Sequence, residues 1–259
     1  MKVGFIGAGN MGAGLAHGWA AARGEPGAPE AMLFADADPE RARAVAEEVG
    51  GEAIEGNRAL AEASDLVVLA VKPGVLDEVA PDLVEAGTPV LSILAGTTLA
   101  RLSEALPGIE LVRVMPNLGA RIRQAVLCVT YPEGSADDRR QQLGRLLGLL
   151  GDVIELDEEL LDAATAIMGC SPGYLALMAE VLVEAGVEEG LTEDQTLRMV
   201  SRAMSATGGL LELHDPAALK QAVASPGGMT EAGLTALDER NLRETLLAAV
   251  DASLERVRG

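Results

Sequence analysis

Lysine is nearly missing from this chain: Lys2, Lys72 and Lys220 are the only three in 259 residues, and with arginine the basic total is 20 against 40 acidic residues. The formal net charge of −20 leaves no basic stripe to displace counterions from phosphates, so nucleic acid is excluded as a partner. An anionic membrane surface is disfavoured for the same reason. The carboxylate excess suits a high-salt cytoplasm, while a GC-rich genome also replaces lysine by arginine, and both explanations stay open. Cysteine is equally scarce. Cys128 and Cys170 sit in apolar runs without the paired spacing of a zinc site or a CxxC centre, so they read as small buried hydrophobes and no metal is expected. The opening MKVGFIGAG reaches glycine too quickly for a signal peptide, and no 18-residue apolar run is free of charge or turn residues. The expected compartment is the cytosol.

What is present is a hydrophobic fraction of 49%, enough for two packed domains. Short β-branched runs alternate with helical patterns through the first half, which predicts a parallel sheet built from right-handed crossovers. Strands are expected at Lys2–Ile6, Met32–Ala35, Leu66–Val71, Val90–Leu94, Leu111–Val114, Ala125–Tyr131 and Val153–Leu156. After Asp157 nearly everything reads as helix, including one long helix over Met229–Arg256, with breaks at Gly186–Thr192, His214–Asp215 and Ser225–Gly228. The predicted architecture is an α/β domain over 1–157, a doubly wound sheet, followed by an all-helical domain over 158–259. Helical stretches such as Gly173–Gly186 are apolar on most faces, so they either lie centrally in the domain or pack against a second copy of the chain, and a homodimer is the favoured reading.

Gly7-Ala8-Gly9-Asn10-Met11-Gly12 fits G-x-G-x-x-G, a weak pattern alone because 30 residues are glycine. Here it follows the strand VGFI, opens a helix and lies inside a βαβ unit, the context of a Rossmann-type dinucleotide site. Gly7 serves the tight turn, Gly9 the approach of a pyrophosphate, and Gly12 the close packing of helix on strand. Asp36, at the end of the second strand, is placed to hydrogen-bond the adenosine ribose, which argues for NADH. Arg41 and Arg43 follow and could meet a 2′-phosphate, so NADH and NADPH both remain open. Two further strand ends face the expected crevice, Val71-Lys72-Pro73 and Leu94-Ala95-Gly96. Lys72 reads as a partner for a cofactor phosphate or as a surface lysine before a turn proline. Asn117, ending the fifth strand, reads as a residue reaching the nicotinamide or substrate, or as an ordinary turn asparagine. Ser225-Pro226-Gly227-Gly228-Met229-Thr230 exposes successive backbone N–H groups ahead of the last long helix, where a carboxylate would be held, with Thr230 adding a hydroxyl. A plain capping loop is the alternative.

In the order and spacing of Phe5–Gly12, Ala70-Val71-Lys72-Pro73, Ala95-Gly96, Met115-Pro116-Asn117, Asp162-Ala163 through Tyr174, and Ser225–Thr230, the chain resembles the pyrroline-5-carboxylate reductase family from end to end. The resemblance implies an enzyme that reduces the cyclic imine L-Δ1-pyrroline-5-carboxylate to L-proline with NADPH or NADH, the last step of proline biosynthesis. It implies a homodimer or larger homo-oligomer, with helical domains for dimerisation and an active site joining the nucleotide domain of one subunit to the helical domain of its neighbour. It also implies nicotinamide-nucleotide contacts from Ile6, Gly7, Ala8, Gly9, Asn10 and Met11, from Asn57, and from Ala70, Val71, Lys72 and Pro73. Gly228, Met229 and Thr230 are implied as the substrate-holding loop. A pyrrolinium ion already carries its proton, so little acid–base apparatus is needed, and Thr230 is the one side chain expected to take part. His17 and His214 read as structural or solvated.

The chain departs from the family pattern at three places. Leu118-Gly119-Ala120 stands where the family has Thr-Pro-Ala, Gly169-Cys170-Ser171-Pro172-Gly173-Tyr174 replaces a Gly-Ser-rich version, and Met229 replaces a small or hydroxyl residue. These changes leave two alternatives, a reductase of a related cyclic imine and a non-catalytic, reductase-like regulatory protein. The β-hydroxyacid dehydrogenases share the glycine loop and helical domain but require a lysine on the first helix of the second domain, and none occurs between Lys72 and Lys220.

Overall fold

The computed structural model describes residues 1–258, and the chain divides into two compact units. The first is Met1–Cys170 with the chain end from Arg256. Its elements are β1 (Lys2–Ile6), α1 (Asn10–Ala21), β2 (Ala31–Ala35), α2 (Pro39–Val49), β3 (Glu52–Ala53), α3 (Asn57–Glu62), β4 (Leu66–Leu69), α4 (Leu76–Ala86), β5 (Val90–Ser92), α5 (Leu99–Ala105), β6 (Leu111–Pro116), β7 (Ala125–Thr130), α6 (Asp137–Gly148), β8 (Gly151–Glu155) and α7 (Leu161–Ala164). The strands form one eight-stranded sheet in the order β3-β2-β1-β4-β5-β6-β7-β8.

Both faces of the sheet are covered, which is why central strands such as LVVL of β4 are apolar throughout rather than alternating. On one face Leu15 and Trp19 of α1, Val45 of α2 and Leu146 of α6 meet Phe5 and Phe34. Phe5 and Phe34 stack at 4.8 Å between centroids, and the Trp19 indole N–H donates to the Leu146 carbonyl at 2.9 Å. On the other face Leu60, Leu83 and Leu102 of α3, α4 and α5 cover Ile6, Val67 and Leu69. Asp38 caps α2, accepting from the Glu40 and Arg41 amides at 3.1 and 3.4 Å, with Pro39 in the first turn and Gly50 left-handed at the far end.

The sheet differs from the expected one in three respects. The two-residue β3 was not expected, being too short to show a period. The fourth and fifth strands stop at Leu69 and Ser92, short of the expected Val71 and Leu94. β7 runs antiparallel to β6, because a connection of Asn117–Gln124 is too short for a crossover. That connection is a 3-10 turn, Leu118–Ile122, ended by Arg123 at φ 61°.

Where the sequence places a domain boundary at 157/158, the compact units meet at Cys170/Ser171. An ion cluster holds the intervening segment to the sheet. Arg113 of β6 has a side chain only 2% exposed and pairs with Glu158 at 3.0 Å and Asp162 at 3.3 Å. A guanidinium at that depth requires such partners. Leu161 packs with Met115 and Cys128, and burial pushes the Cys128 thiol up from its ordinary value.

The second unit, Ser171–Glu255, contains α8 (Ser171–Glu188), α9 (Glu193–Leu211), α10 (Pro216–Val223), α11 (Met229–Glu239) and most of α12 (Leu242–Arg258). α9 begins with a capping box from Thr192 and Gln195. A Cβ on Gly186 would lie 2.3 Å from the Thr196 side chain, so glycine there permits the close approach of α8 to α9. The Tyr174 hydroxyl donates to the Ala249 carbonyl at 3.2 Å and shares a hydrogen with Ser253 at 2.6 Å, tying α8 to α12. The expected single helix over Met229–Arg256 is two helices. Asn241 adopts φ 57° between them, a conformation asparagine tolerates without announcing it as glycine or proline would. The Gly169–Tyr174 segment does not interrupt the helical path: a π turn over Thr165–Gly169 runs into α8. In consequence Glu158–Glu188 is one helical run, long and apolar enough by length and composition alone to cross a membrane, although it carries the charged and turn residues noted in the sequence.

Candidate functional site

The order of the strands reverses between β1 and β4, and a crevice forms at the carboxyl ends of strands flanking such a point. Five segments marked in the sequence follow strands of this group, at the same edge: Gly7–Gly12 after β1, Asp36 after β2, Ala70–Pro73 after β4, Ala95 after β5 and Asn117 after β6. Ile6, Gly7, Ala8 and Gly12 are buried, Gly9 and Met11 half-buried, and Asn10 exposed. Asn57, half-buried, opens α3.

The three loop glycines are required for different reasons. Gly7 has φ 101°, and a Cβ there would lie 2.6 Å from the Ala70 carbonyl oxygen. A Cβ on Gly12 would lie 2.5 Å from the Gly7 carbonyl oxygen. Gly9 is different. Its φ of −73° suits any residue, and a Cβ would have nothing within 4 Å. The fold therefore demands Gly7 and Gly12 but not Gly9, whose missing side chain leaves open space at the N-terminus of α1. That space, bordered by helix amides, fits the pyrophosphate of a dinucleotide.

Asp36 is fixed on this loop. It accepts the Ala8 amide at 2.7 Å and the Asp38 amide at 2.9 Å. Lys72 is exposed and, among the described residues, forms no ion pair, so its charge is free for an anion. Pro73 and Ala95 are exposed beside it, with Ala70 and Val71 half-buried. Asn117 is engaged at both ends of its amide: Oδ1 accepts the Val126 N–H at 3.3 Å and Nδ2 donates to the Met168 carbonyl at 3.2 Å. It spans β6, β7 and the π turn, with one N–H left over.

The Ser225–Thr230 bend, in the helical unit, is less open than its sequence suggests. Gly228 N–H donates to the Ser225 carbonyl at 2.9 Å, and Gly227 N–H to the Glu231 carboxylate at 2.7 Å. Two of the expected donors are thus consumed within the bend. The first-turn amides of α11, from Met229, Thr230 and Glu231, have no partner inside the helix and remain as the anion-facing set. Thr230 is exposed and Met229 is 94% exposed. Glu231 was missed by the sequence reading, although an acid in a first helical turn is the signal that would have found it. His17 bonds Glu48 at 2.8 Å and His214 is exposed, and among the described residues no three metal-ligating side chains cluster.

Residues 158–259 match the family described as pyrroline-5-carboxylate reductase dimerisation, and residues 2–96 match NADP oxidoreductase, coenzyme F420-dependent. The pyrroline-5-carboxylate reductase of Thermus thermophilus is 35% identical over 99% of this chain and 97% of its own length. Among solved structures, 1-pyrroline-5-carboxylate reductase from Streptococcus pyogenes is 28% identical with a TM-score of 0.89, covering 100% of this chain and 98% of that one. The Plasmodium falciparum pyrroline carboxylate reductase, solved with NADP bound, is 26% identical with a TM-score of 0.87, covering 100% and 97%. With full-length likeness in sequence and in backbone, and the glycine loop, strand ends and C-terminal bend all in order, the chain belongs to the pyrroline-5-carboxylate reductase family.

Proposed function

We propose that this chain reduces L-Δ1-pyrroline-5-carboxylate to L-proline, with residues 1–157 binding the dinucleotide and 158–259 serving dimerisation and substrate. The observation that carries the cofactor half is the open space at Gly9, which the fold itself does not require. When bound, NAD(P)H supplies the hydride. The proposed contacts are Ile6–Gly12 on the pyrophosphate side, Asp36 at the ribose, and Asn57, Ala70–Pro73, Ala95 and Asn117 along the strand ends. Lys72 offsets phosphate charge with its unpaired ammonium.

The substrate carboxylate is assigned to the Met229 and Thr230 amides at the positive end of α11, with Gly228 shaping the bend rather than donating. Thr230 supplies the hydroxyl beside the ring nitrogen or carboxylate. That nitrogen is already protonated in the iminium, so the protein orients the ring and needs no strong acid. The scarcity of acid–base pairs in the site agrees with this: one histidine is committed to Glu48 and the other is exposed. A homodimer is supported by the dimerisation match and by the apolar face of α8 and α9. The cytosol is the proposed compartment, supported by the acidic composition.

Two side chains favour a second reading, a related imine as substrate. Leu118 is 49% exposed where the family has a hydroxyl, and Met229 projects from the substrate bend. A panel of five- and six-membered cyclic imine carboxylates, followed by cofactor absorbance with NADH and NADPH, separates the two. Highest efficiency with pyrroline-5-carboxylate is expected, and absence of turnover with every imine overturns both. Thr230→Ala should lower kcat/KM about 10- to 100-fold, the scale of one hydrogen bond to a charged group, with dinucleotide affinity unchanged. Unaltered turnover removes Thr230 from the site.

A further inference from the structure

The cofactor reading above leaves open which dinucleotide the crevice accepts, and the inference here rests on that reading. We infer that Asp36 is the specificity-determining residue of the ribose end and makes this chain select NADH over NADPH. In the register of the sheet, Ala35 is opposite Ile6, and the Gly7 amide donates to the Ala35 carbonyl at 2.8 Å, so Asp36 emerges beside the first turn of the glycine loop. Its carboxylate is 9% exposed and is clamped by the Ala8 and Asp38 amides at 2.7 and 2.9 Å. A carboxylate held there by backbone amides keeps its position. It accepts hydrogen bonds from ribose hydroxyls and offers nothing to a phosphate, which at neutral pH brings acceptors and close to two negative charges.

The arginines that would rescue a 2′-phosphate are already committed. Arg41 pairs with Asp36 at 3.3 Å and Asp38 at 3.5 Å, and Arg43 pairs with Glu40. Over residues 36–43 three carboxylates face two guanidinium groups, so freeing either arginine for a phosphate uncovers an acid beside it. None of the three lysines lies in this segment.

The test measures binding without chemistry. Fluorescence titration with NADH and NADPH, and calorimetric titration with ADP-ribose and its 2′-phosphorylated form, are run on the full chain, on Asp36→Ser and on Asp36→Asn. The asparagine variant keeps the shape and an acceptor for the Ala8 amide, so it guards against loss of loop structure in the serine variant. The expected result is that the unaltered chain binds the non-phosphorylated member of each pair about 30-fold more tightly, a difference of about 2 kcal/mol. Both variants should narrow that ratio to less than about 5-fold, mainly by tighter binding of the phosphorylated ligand. NADPH binding equal to or tighter than NADH, or an unchanged ratio in both variants, overturns the inference while leaving the dinucleotide site intact. If the unaltered chain binds none of the four ligands, the dinucleotide site itself falls and the inference with it.

Discussion

The sheet unit buries Trp19, Phe5, Phe34 and a continuous set of aliphatic side chains on both faces, whereas in Ser171–Glu255 the one buried side chain among the described residues is Thr196. Leu175, Leu182, Met199 and Leu211 of α8 and α9 instead line an apolar cavity of about 520 Å³ open to solvent. Both units are apolar in composition, yet only the first satisfies its own hydrophobic surface. A single-chain domain with a contiguous apolar face of this kind is normally half of an interface. The difference also separates where mutations act, on folding in one unit and on assembly in the other.

The comparison is broken most severely by placing a charge in the exposed face. Leu182→Asp should disperse the oligomer to monomers and lower turnover by at least about 100-fold, because an unpaired carboxylate in an interface costs several kcal/mol. Sedimentation velocity with a parallel activity assay checks it, and an intact oligomer would show that this face is not the interface. Next in size, Trp19→Ala should cost the sheet unit about 3–5 kcal/mol, the usual penalty for an emptied aromatic site. Denaturant unfolding measures it, with the oligomeric state expected to persist under native conditions. The smallest effect sharpens the picture inside the glycine loop. Gly12→Ala should destabilise by about 1–3 kcal/mol through overpacking on the Gly7 carbonyl. Gly9→Ala should leave the melting temperature within about 2 °C but weaken dinucleotide binding about 10-fold, since its Cβ meets only what enters the open space. Equal losses of stability in the two variants would remove Gly9 from the cofactor argument.

Much of the crevice was legible because its residues are short-range signals. A glycine loop after a strand, Asp36 after the next strand and Lys72-Pro73 after the one beyond can be read from sequence spacing, and the structure sets them at one edge of the sheet. The failures have physical causes too. The antiparallel β7 depends on the length of a turn that carries no hydrophobic period, and the helix break at Asn241 depends on a single residue in a left-handed conformation. For Asn117 the sequence shows a strand-end amide but not that this amide is also held by Val126 and Met168, partners 9 and 51 residues away that no local pattern reveals, so that one N–H remains for a ligand. The same holds for the bend before α11, where internal bonds to Ser225 and Glu231 consume donors that the sequence leaves free.

The order of amino acids alone determined that this is a dinucleotide fold joined to helices too apolar to stand in water unaccompanied, because period, turn residues and composition are local properties of the chain. Tertiary structure decided which polar groups remain free. A hydrogen bond formed by Asp36, Asn117 or Gly228 removes a donor or acceptor from the site, and such bonds are made only when distant segments are brought together or a turn closes on itself.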